Sequence, residues 1–187
     1  PQEYGFYITT GSRSGVYDDE PWITRFVEFI RQLDQLKSKL IGICFGHQAI
    51  AMALGGHAEQ SNRGWGIGIA NNRIITQPQW MNPPLEQLKL LVSHQDQVVK
   101  LSRDAQVIAE SDFCPFFMVQ WTAHILSVQG HPEWQNEYSQ TLMEFRRGII
   151  SDERIEQGIN SLSQQPDNAA FGRWALNFVT QPTTAQT

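Results

Sequence analysis

The sequence lacks several features that would place it in a specialised class of protein. No apolar stretch is long enough to cross a membrane, which takes about 20 consecutive apolar residues. There is no run of Lys or Arg, and 14 basic against 19 acidic residues give a net charge of −5. A nucleic-acid surface needs a basic patch, so we expect no nucleic-acid partner. Because a membrane-spanning stretch is lacking, we expect no membrane partner either.

Cysteine is scarce as well, with only Cys44 and Cys114 in 187 residues. Two cysteines are too few for the disulfide framework of a small secreted domain. A working thiol is most easily kept in a reducing compartment, so the expected location is the cytoplasm. Internal repeats are also absent, and the length and the 41% hydrophobic content suit one globular domain over residues 1–187.

The spacing of apolar residues predicts an α/β domain. Tyr4 to Ile8 forms a short predicted strand, and an amphipathic helix follows Pro21, with apolar residues at 23, 26, 27, 30 and 33. A second strand and helix come next, and this order implies parallel strands. Further strands are predicted at 64–69, 73–76, 88–92, 106–109, 116–120 and 125–129, the last two as a hairpin, and helices at 137–149, 154–162 and 169–179.

One stretch, residues 40–48, joins an apolar strand to a helix through a sharp turn that carries Cys44. A thiol at such a turn is typical of a nucleophile elbow. Gly42 and Gly46 let backbone approach backbone, and the N-terminus of the following helix favours a thiolate. The competing interpretation is that Cys44 is a small buried hydrophobe, as most cysteines are.

A thiol nucleophile needs a base and a group that orients the base. His131 follows a predicted strand and a turn glycine, and Glu133 lies two residues further on. Imidazole and carboxylate can therefore face the same cleft at the sheet edge, although an ordinary surface turn is the alternative. His47 could also pair with the thiol, but the elbow directs Cys44 away from its own helix, so we predict a packed, structural His47.

The other histidines carry less information. His94 ends a predicted strand, whereas His57 and His124 are predicted to lie at exposed or edge positions. Acyl transfer also needs donors for an oxyanion. The backbone N–H of Phe45, directly after the nucleophile, is one candidate. Gly11, in a polar loop after the first strand, is the second candidate, unless it is a plain turn glycine.

Residues 42–48 and the sequence Gly-His-Pro-Glu at 130–133 together resemble the class I (triad) glutamine amidotransferase family. Residues 10–12, 16–18, 64–68 and 93–98 extend the resemblance, which runs from Ile8 to about Ile149. It implies a flavodoxin-like, mostly parallel sheet with helices on both faces and a small antiparallel excursion. Within the family, the chain is most similar to stand-alone members that resemble the amidotransferase domain of GMP synthetase.

The resemblance implies hydrolysis of glutamine through a γ-glutamyl thioester. Cys44 would attack the side-chain carboxamide, with His131 as base and then acid, and Glu133 would orient the imidazole. The N–H groups of Gly11 and Phe45 would bind the oxyanion. No metal ion or organic cofactor is required for this half-reaction.

The resemblance also implies a substrate pocket and a partner. Gln48, Ser93, Gln95 and Asp96 would be the residues of the glutamine pocket. Ammonia would pass to a separate synthetase, since the chain has no ATP-binding signature. Family members carry a strand–helix unit before the first strand seen here, so we expect an N-terminal segment to be absent from the sequence.

The family resemblance leaves other functions open. Plant γ-glutamyl peptidases have a similar sequence around the cysteine and around residues 93–96. Hydrolysis of γ-glutamyl peptides is therefore the alternative to hydrolysis of glutamine. These enzymes cleave γ-glutamyl amides without delivering ammonia to a partner. A catalytically degenerate binding domain is a third interpretation, which the presence of all three triad residues disfavours.

Overall fold

A computed structural model describes residues 3–182 of the chain. Within this range the strands are β1 (Phe6–Thr9), β2 (Lys39–Ile43), β3 (His57–Gln60), β4 (Gly66–Ile74), β5 (Gln87–His94), β6 (Asp96–Lys100), β7 (Gln106–Glu110), β8 (Met118–Gln120) and β9 (Ile125–Val128). The helices are α1 (Pro21–Gln35), α2 (Phe45–Ala53), α3 (Asn136–Phe145), α4 (Asp152–Ser161) and α5 (Asn168–Thr180). None of the helices in this range is long and apolar enough to span a membrane.

The predicted α/β class is confirmed, and the main sheet is mixed. Its seven strands lie in the order β1-β2-β9-β8-β7-β4-β5. Strands β1, β2 and β9 pair in parallel, whereas the remaining neighbours pair antiparallel, including the predicted hairpin of β8 and β9. The antiparallel part is larger than the small excursion that the resemblance implied, because no helix separates the strands from β3 to β9.

Strand β2 lies in the middle of the parallel part, and all five of its residues are buried. Its alternate side chains face different hydrophobic layers. Leu40 packs with Ile30 of α1 and Ile50 of α2, while Ile41 packs with Trp174 of α5 in the other layer. Helices on both faces are what a parallel sheet requires, because neither of its faces is left in water.

Helix α1 begins at Pro21, as the sequence predicts. The fixed φ of proline suits the first helical position, where its missing N–H costs no hydrogen bond. The predicted apolar stripe faces the protein: Ile23, Ile30 and Leu33 are buried, and Phe26 is partly buried in the same cluster. Helix α1 thereby covers the face of the sheet next to α2.

Some local predictions differ from the structure. The short strands predicted at 64–69 and 73–76 form one continuous strand, β4. The strands β3 and β6, which form a separate small antiparallel sheet, are not predicted individually, because only Ala58 of β3 is buried and the strand shows no apolar alternation. Helix α3 ends at Phe145 rather than at 149, since the chain turns tightly through Gly148, whose φ is +86°.

Strand β1 forms one edge of the main sheet. Its apolar residues Phe6 and Ile8 are 46% and 52% exposed, unlike those of β2. Exposed edge strands with apolar side chains are uncommon, because they can pair with further strands. The predicted N-terminal strand–helix unit, like the assignment of residues 1–187 to a single domain, stays a prediction.

The turn between β2 and α2 depends on the absence of a side chain at Gly46. A Cβ atom on this residue would overlap Oγ1 of Thr9 and lie 2.9 Å from its Cβ. We expect Gly46→Ala to lower the free energy of unfolding by about 1–3 kcal/mol, the usual cost of overpacking. Urea denaturation followed by circular dichroism measures this change.

Gly172→Ala is the matched control for this variant. Gly172 lies within α5, and a Cβ atom there would meet no atom within 4 Å. Alanine is favoured over glycine inside a helix by about 0.5–1 kcal/mol, so this variant should be more stable than wild type. Equal stability of Gly46→Ala and wild type would contradict the packing of the turn.

Candidate active site

Cys44 is the N-cap residue of α2, with φ 52° and ψ −103°. Among the described non-glycine residues, only Lys37 and Cys44 have positive φ. This conformation is unfavourable for a residue with a side chain and persists where the surrounding structure imposes it, typically at functional sites. It is the geometry expected of a nucleophile elbow.

Close backbone contacts on both sides of the turn impose this conformation. A Cβ atom on Gly42 would overlap Cδ1 of Ile50 and lie 2.8 Å from the carbonyl oxygen of Gly46. Strand and helix therefore approach each other as closely as glycine allows. The backbone N–H of Cys44 donates to the carbonyl of Val128 at 2.9 Å, which fixes the turn to β9.

His131 lies just beyond β9, and several contacts fix its imidazole ring. Its Nδ1 lies 2.7 Å from Oε1 of Glu133. The ring stacks on that of Trp134 with centroids 3.6 Å apart, and the backbone N–H donates to the carbonyl of Leu91 at 2.7 Å. In the neutral ring, the bond to Glu133 favours the proton on Nδ1, which leaves Nε2 as the acceptor.

Gly11 lies close to both His131 and Cys44. A Cβ atom on Gly11 would be 3.0 Å from Cε1 of His131, 3.8 Å from its Nε2 and 3.9 Å from Cβ of Cys44. The elbow of Cys44 thus borders the same small volume as the edge of the imidazole ring on which Nε2 lies. The residues predicted as nucleophile, base and oxyanion donor meet at the carboxyl ends of the parallel strands, where open α/β sheets bind ligands.

Nε2 of Gln129 donates a hydrogen bond to the sulfur of Cys44 at 3.6 Å. The backbone N–H of Phe45 lowers the pKa of this thiol. Gln129 is fully buried, and its Oε1 accepts a hydrogen bond from Nε2 of Gln48 at 3.2 Å. Gln48 also donates to the carbonyl of Asp96 at 3.0 Å. This chain of amides connects Cys44 to the turn between β5 and β6.

Gln129 is a site residue that the sequence analysis missed. The only local signal is its place directly before Gly130 and His131. Its proximity to Cys44 follows from the register of β2 and β9, in which Ile43 lies opposite Val128. That register cannot be read from the sequence, so the contact with the sulfur emerges only from the structure.

Burial raises the pKa of the Cys44 thiol to about 12. The hydrogen bond from Phe45 and the charge of Arg146 lower this pKa, but burial outweighs them. The start of α2 therefore favours the thiolate, as predicted, but burial outweighs this effect, and the thiol stays protonated near neutral pH in the unliganded site. Attack by the sulfur then requires a base that removes the proton as the new bond forms.

An open cavity of about 500 Å³ lies beside Cys44, within the size range of small-molecule sites. Its walls come mainly from the loop after β1, the elbow, the turn between β5 and β6, and the end of α3. The predicted pocket residues Gln48, Ser93, Gln95 and Asp96 all line it. Within residues 3–182, no group of three or more His, Cys, Asp and Glu side chains could hold a metal ion.

Hydrogen bonds hold the polar residues of the cavity wall. Oγ of Ser93 accepts a hydrogen bond from the guanidinium group of Arg146. Oδ1 of Asp96 accepts one from the hydroxyl of Tyr17 at 2.8 Å. Tyr17 is 47% exposed, but partial loss of water and this bond raise its pKa to about 12, so the hydroxyl remains a donor at neutral pH. Gln95 is anchored through its carbonyl, which accepts from the N–H of Ser61 at 3.0 Å.

Two further histidines near the site are neutral. His47 is fully buried, as predicted, with Nδ1 2.7 Å from Oγ of Ser127, and burial lowers its pKa to about 3. His94 is also buried, with Nδ1 3.0 Å from the carbonyl of Asp96, and burial lowers its pKa to about 4. Neither ring can serve as a cationic partner for a thiolate near neutral pH.

The prediction of an exposed or edge position for His124 is wrong. Its ring is buried, and Nε2 lies 2.8 Å from Oδ1 of Asp34 in α1. The ring of His124, which belongs to the β8–β9 turn, therefore lies against α1. His57 is exposed, as predicted. Cys114 is buried and does not line the cavity beside Cys44.

Comparison with known proteins agrees with the geometry of the elbow. Residues 14–150 match the family described as glutamine amidotransferase class-I. This match covers well over half of the chain. The protein therefore belongs to the class I glutamine amidotransferase family, as the sequence analysis predicts.

Individual relatives show how far the similarity extends. Gamma-glutamyl peptidase 5 of Arabidopsis thaliana is 30% identical over 188 residues, which cover 95% of this chain and 74% of the relative. One subunit of the glutamine-hydrolyzing GMP synthase of Methanosarcina acetivorans is 32% identical over 107 residues, 57% of this chain and 54% of the relative. A solved glutamine amidotransferase of Thermotoga maritima matches with a TM-score of 0.78 over 93% of this chain and 78% of that one, at 15% identity. At this identity, the last comparison shows the fold alone.

The raised pKa of Cys44 predicts how its alkylation depends on pH. Only the thiolate reacts with iodoacetamide. With a pKa of about 12, the thiolate fraction and the rate should rise about tenfold per pH unit between about pH 7 and pH 10. Mass spectrometry of the Cys44 peptide measures the rate, and a plateau below about pH 9 would contradict the raised pKa.

Cys114 provides an internal comparison in the same experiment. Burial raises its pKa to about 12 as well, but it does not line the cavity. Cys44 should therefore react faster than Cys114 at every pH. The Cys44→Ala variant isolates the rate of Cys114 and corrects for alkylation that follows unfolding.

Gln129→Leu should make the Cys44 thiolate harder to form, because it removes a hydrogen-bond donor to Sγ. We expect the alkylation rate at about pH 8 to fall roughly tenfold, as for one hydrogen bond to a charged group. Gln97→Leu is the matched control, since Gln97 is buried and its Nε2 has no partner among the described residues. Equal rates in both variants would show that Gln129 does not act on the sulfur.

Proposed function

We propose that this protein hydrolyses the γ-amide bond of glutamine or of a γ-glutamyl compound through a triad of Cys44, His131 and Glu133. The observation that carries the proposal is the strained elbow of Cys44, which lies close to Gly11 together with an imidazole hydrogen-bonded to a carboxylate. Triad catalysis needs a nucleophile, a base and an orienting acid in this relation. Membership in the amidotransferase family favours a γ-carboxamide as the group attacked.

In the first step, sulfur bonds to the carbonyl carbon. As Sγ of Cys44 attacks, Nε2 of His131 takes the thiol proton, which burial otherwise keeps on the sulfur. Glu133 accepts the Nδ1–H hydrogen bond and stabilises the imidazolium that forms. The carbonyl oxygen becomes an oxyanion, for which the backbone N–H groups of Gly11 and Phe45 are the proposed donors.

In the second step, the amine leaves and water restores the enzyme. His131 gives its proton to the amide nitrogen, the C–N bond breaks, and a γ-glutamyl thioester remains on Cys44. Water attacks the thioester with His131 again as base, the C–S bond breaks to release glutamate, and His131 returns the proton to the sulfur. The hydrogen bond from Gln129 to Sγ supports the departing thiolate.

The γ-glutamyl group is proposed to bind along the cavity wall next to the elbow. Gln48, Ser93, Gln95 and Asp96 line this wall. The carboxylate of Asp96 suits an α-ammonium group, because opposite charges attract more strongly where water is partly excluded. The amides of Gln48 and Gln129 connect this wall to the sulfur.

Two uses of this chemistry are compatible with the site. Similarity to part of a GMP synthase supports an amidotransferase that passes ammonia to a separate synthetase. Similarity to a gamma-glutamyl peptidase over 95% of the chain supports the second candidate, hydrolysis of γ-glutamyl peptides without an acceptor. We propose a cytoplasmic location for either enzyme, because a reducing compartment preserves the thiol.

Replacing the triad residues tests the mechanism. Cys44→Ala and His131→Asn should each slow hydrolysis at least about a thousandfold, because nucleophile and base act as a unit. Glu133→Gln should slow it about 10- to 1,000-fold, since the amide keeps the size of the acid but not its charge. A coupled assay for glutamate measures all three, with Glu137→Gln, an exposed acid in the first turn of α3, as the control.

The same assay separates the possible outcomes. Unchanged turnover in Cys44→Ala would exclude the covalent mechanism, and unchanged turnover in Glu133→Gln would leave that residue a structural role. Glutamine, glutathione and other γ-glutamyl amides should be compared, with ammonia measured beside glutamate. Turnover of peptides without turnover of glutamine would favour the peptidase, and rapid hydrolysis of glutamine without a partner would argue against tight ammonia channelling.

A further inference from the structure

Arg13 and Arg146 line the cavity beside Cys44 and take no part in the proposed chemical steps. Arg13 lies in the loop after β1, and Arg146 directly follows α3. Burial lowers the pKa of Arg146, and the positive charge of Arg13 lowers it as well, whereas Tyr138 and Cys44 raise it. Two positive charges from distant parts of the chain therefore share one cavity.

Arg146 is held in place on the cavity wall. Its guanidinium carbon lies 4.8 Å from the centre of the Trp65 ring, in a cation–π contact. Nη1 donates a hydrogen bond to Oγ of Ser93. Trp65 is fixed in turn by Arg154, whose Nε donates to its carbonyl at 2.9 Å. Because little side-chain freedom is left to lose, Arg146 is preorganised for a ligand.

Neither arginine is neutralised by the protein. Within residues 3–182, Arg13 and Arg146 form no ion pair with a carboxylate. The adjacent Arg147, by contrast, is paired with the carboxylates of Glu144, Asp152 and Glu156. Holding a half-buried guanidinium near a second one without an anion is unfavourable, which is typical of a site that receives its anion with the ligand.

Among the described residues that line the cavity, Asp96 is the only acid, and its Oδ1 already accepts from Tyr17. We propose that Arg146 and Arg13 form a subsite for a carboxylate group of the substrate. The planar guanidinium matches a carboxylate with two parallel hydrogen bonds. This inference rests on the proposed function, and it names an ionised carboxylate as the group of the substrate that Arg146 and Arg13 recognise.

A γ-glutamyl peptide carries such a group in two places. One is the α-carboxylate of the γ-glutamyl part, and the other is the C-terminal carboxylate of the leaving part. Both present the same chemistry to a guanidinium group. Amidation of one carboxyl at a time distinguishes them, because an amide keeps the shape of the group but removes its charge.

The test is a binding experiment with the 187-residue Cys44→Ala variant, which does not consume its ligand. Calorimetry gives the Kd of γ-glutamyl-glycine and of its α-amide and C-terminal amide. Adding Arg146→Gln should weaken binding of γ-glutamyl-glycine about 10- to 100-fold, and adding Arg13→Gln should weaken it less, because Arg13 is exposed. The amide that lacks the recognised carboxylate should bind weakly already, with a Kd that Arg146→Gln does not change.

Arg147→Gln is the matched control, since it removes the same charge one residue away and does not line the cavity. Its Kd values should equal those of Cys44→Ala alone. Arg146→Lys should recover part of the affinity, because it keeps the charge but not the planar group. An equal loss for all three ligands in Arg146→Gln, an unchanged Kd, or no binding of any ligand would overturn the subsite.

Failure of the proposed function gives a different result. If wild type hydrolyses none of the γ-glutamyl compounds while Cys44→Ala binds γ-glutamyl-glycine in an Arg146-dependent manner, the subsite stands and hydrolysis is wrong. If wild type hydrolyses γ-glutamyl-glycine and both amides with equal kcat/KM, and Arg146→Gln changes none of these values, hydrolysis stands and the subsite is wrong.

Discussion

The backbone conformation of Cys44 is the constraint on which the arrangement of the site depends. Its φ of 52° costs of the order of 1–3 kcal/mol for a residue with a side chain. Interactions on both sides maintain it: the N–H bonds to Val128 of β9, and the carbonyl accepts from the N–H of Gln48 in α2. The ring of Phe45 packs against Trp22 with centroids 5.3 Å apart. Strand pairing and helix packing thus hold the thiol away from the sheet.

The pairing of β2 with β9 extends this constraint to the other groups. Because Ile43 lies opposite Val128, the chain beyond β9 runs past the sulfur, which Gln129 contacts, and then places His131 close to Gly11. The antiparallel part of the sheet contributes β5, whose Leu91 holds the backbone of His131. The end of β5 also forms one wall of the cavity. The candidate catalytic groups therefore come from the parallel part, and much of the substrate wall comes from the antiparallel part.

The sequence predicts those features whose information is local. The glycines around Cys44 and the spacing of His131 and Glu133 are short patterns with their own chemistry, and the apolar spacing of α1 is equally local. Features set by distant contacts escape such prediction. The pKa of Cys44 reflects burial by the whole site, Arg146 bonds to a serine 53 positions earlier, and the ring of His124 is buried against an aspartate 90 positions earlier.

The cavity beside Cys44 draws its walls from segments far apart in the chain, around residues 13, 45, 95 and 146. A molecule that touches all of them acts as a noncovalent cross-link, because no segment can then move outward without giving up contacts with it. Binding to the folded chain alone raises the free energy of unfolding by RT ln(1 + [L]/Kd). Occupancy of the cavity and resistance of these segments to local opening are therefore two measures of one interaction.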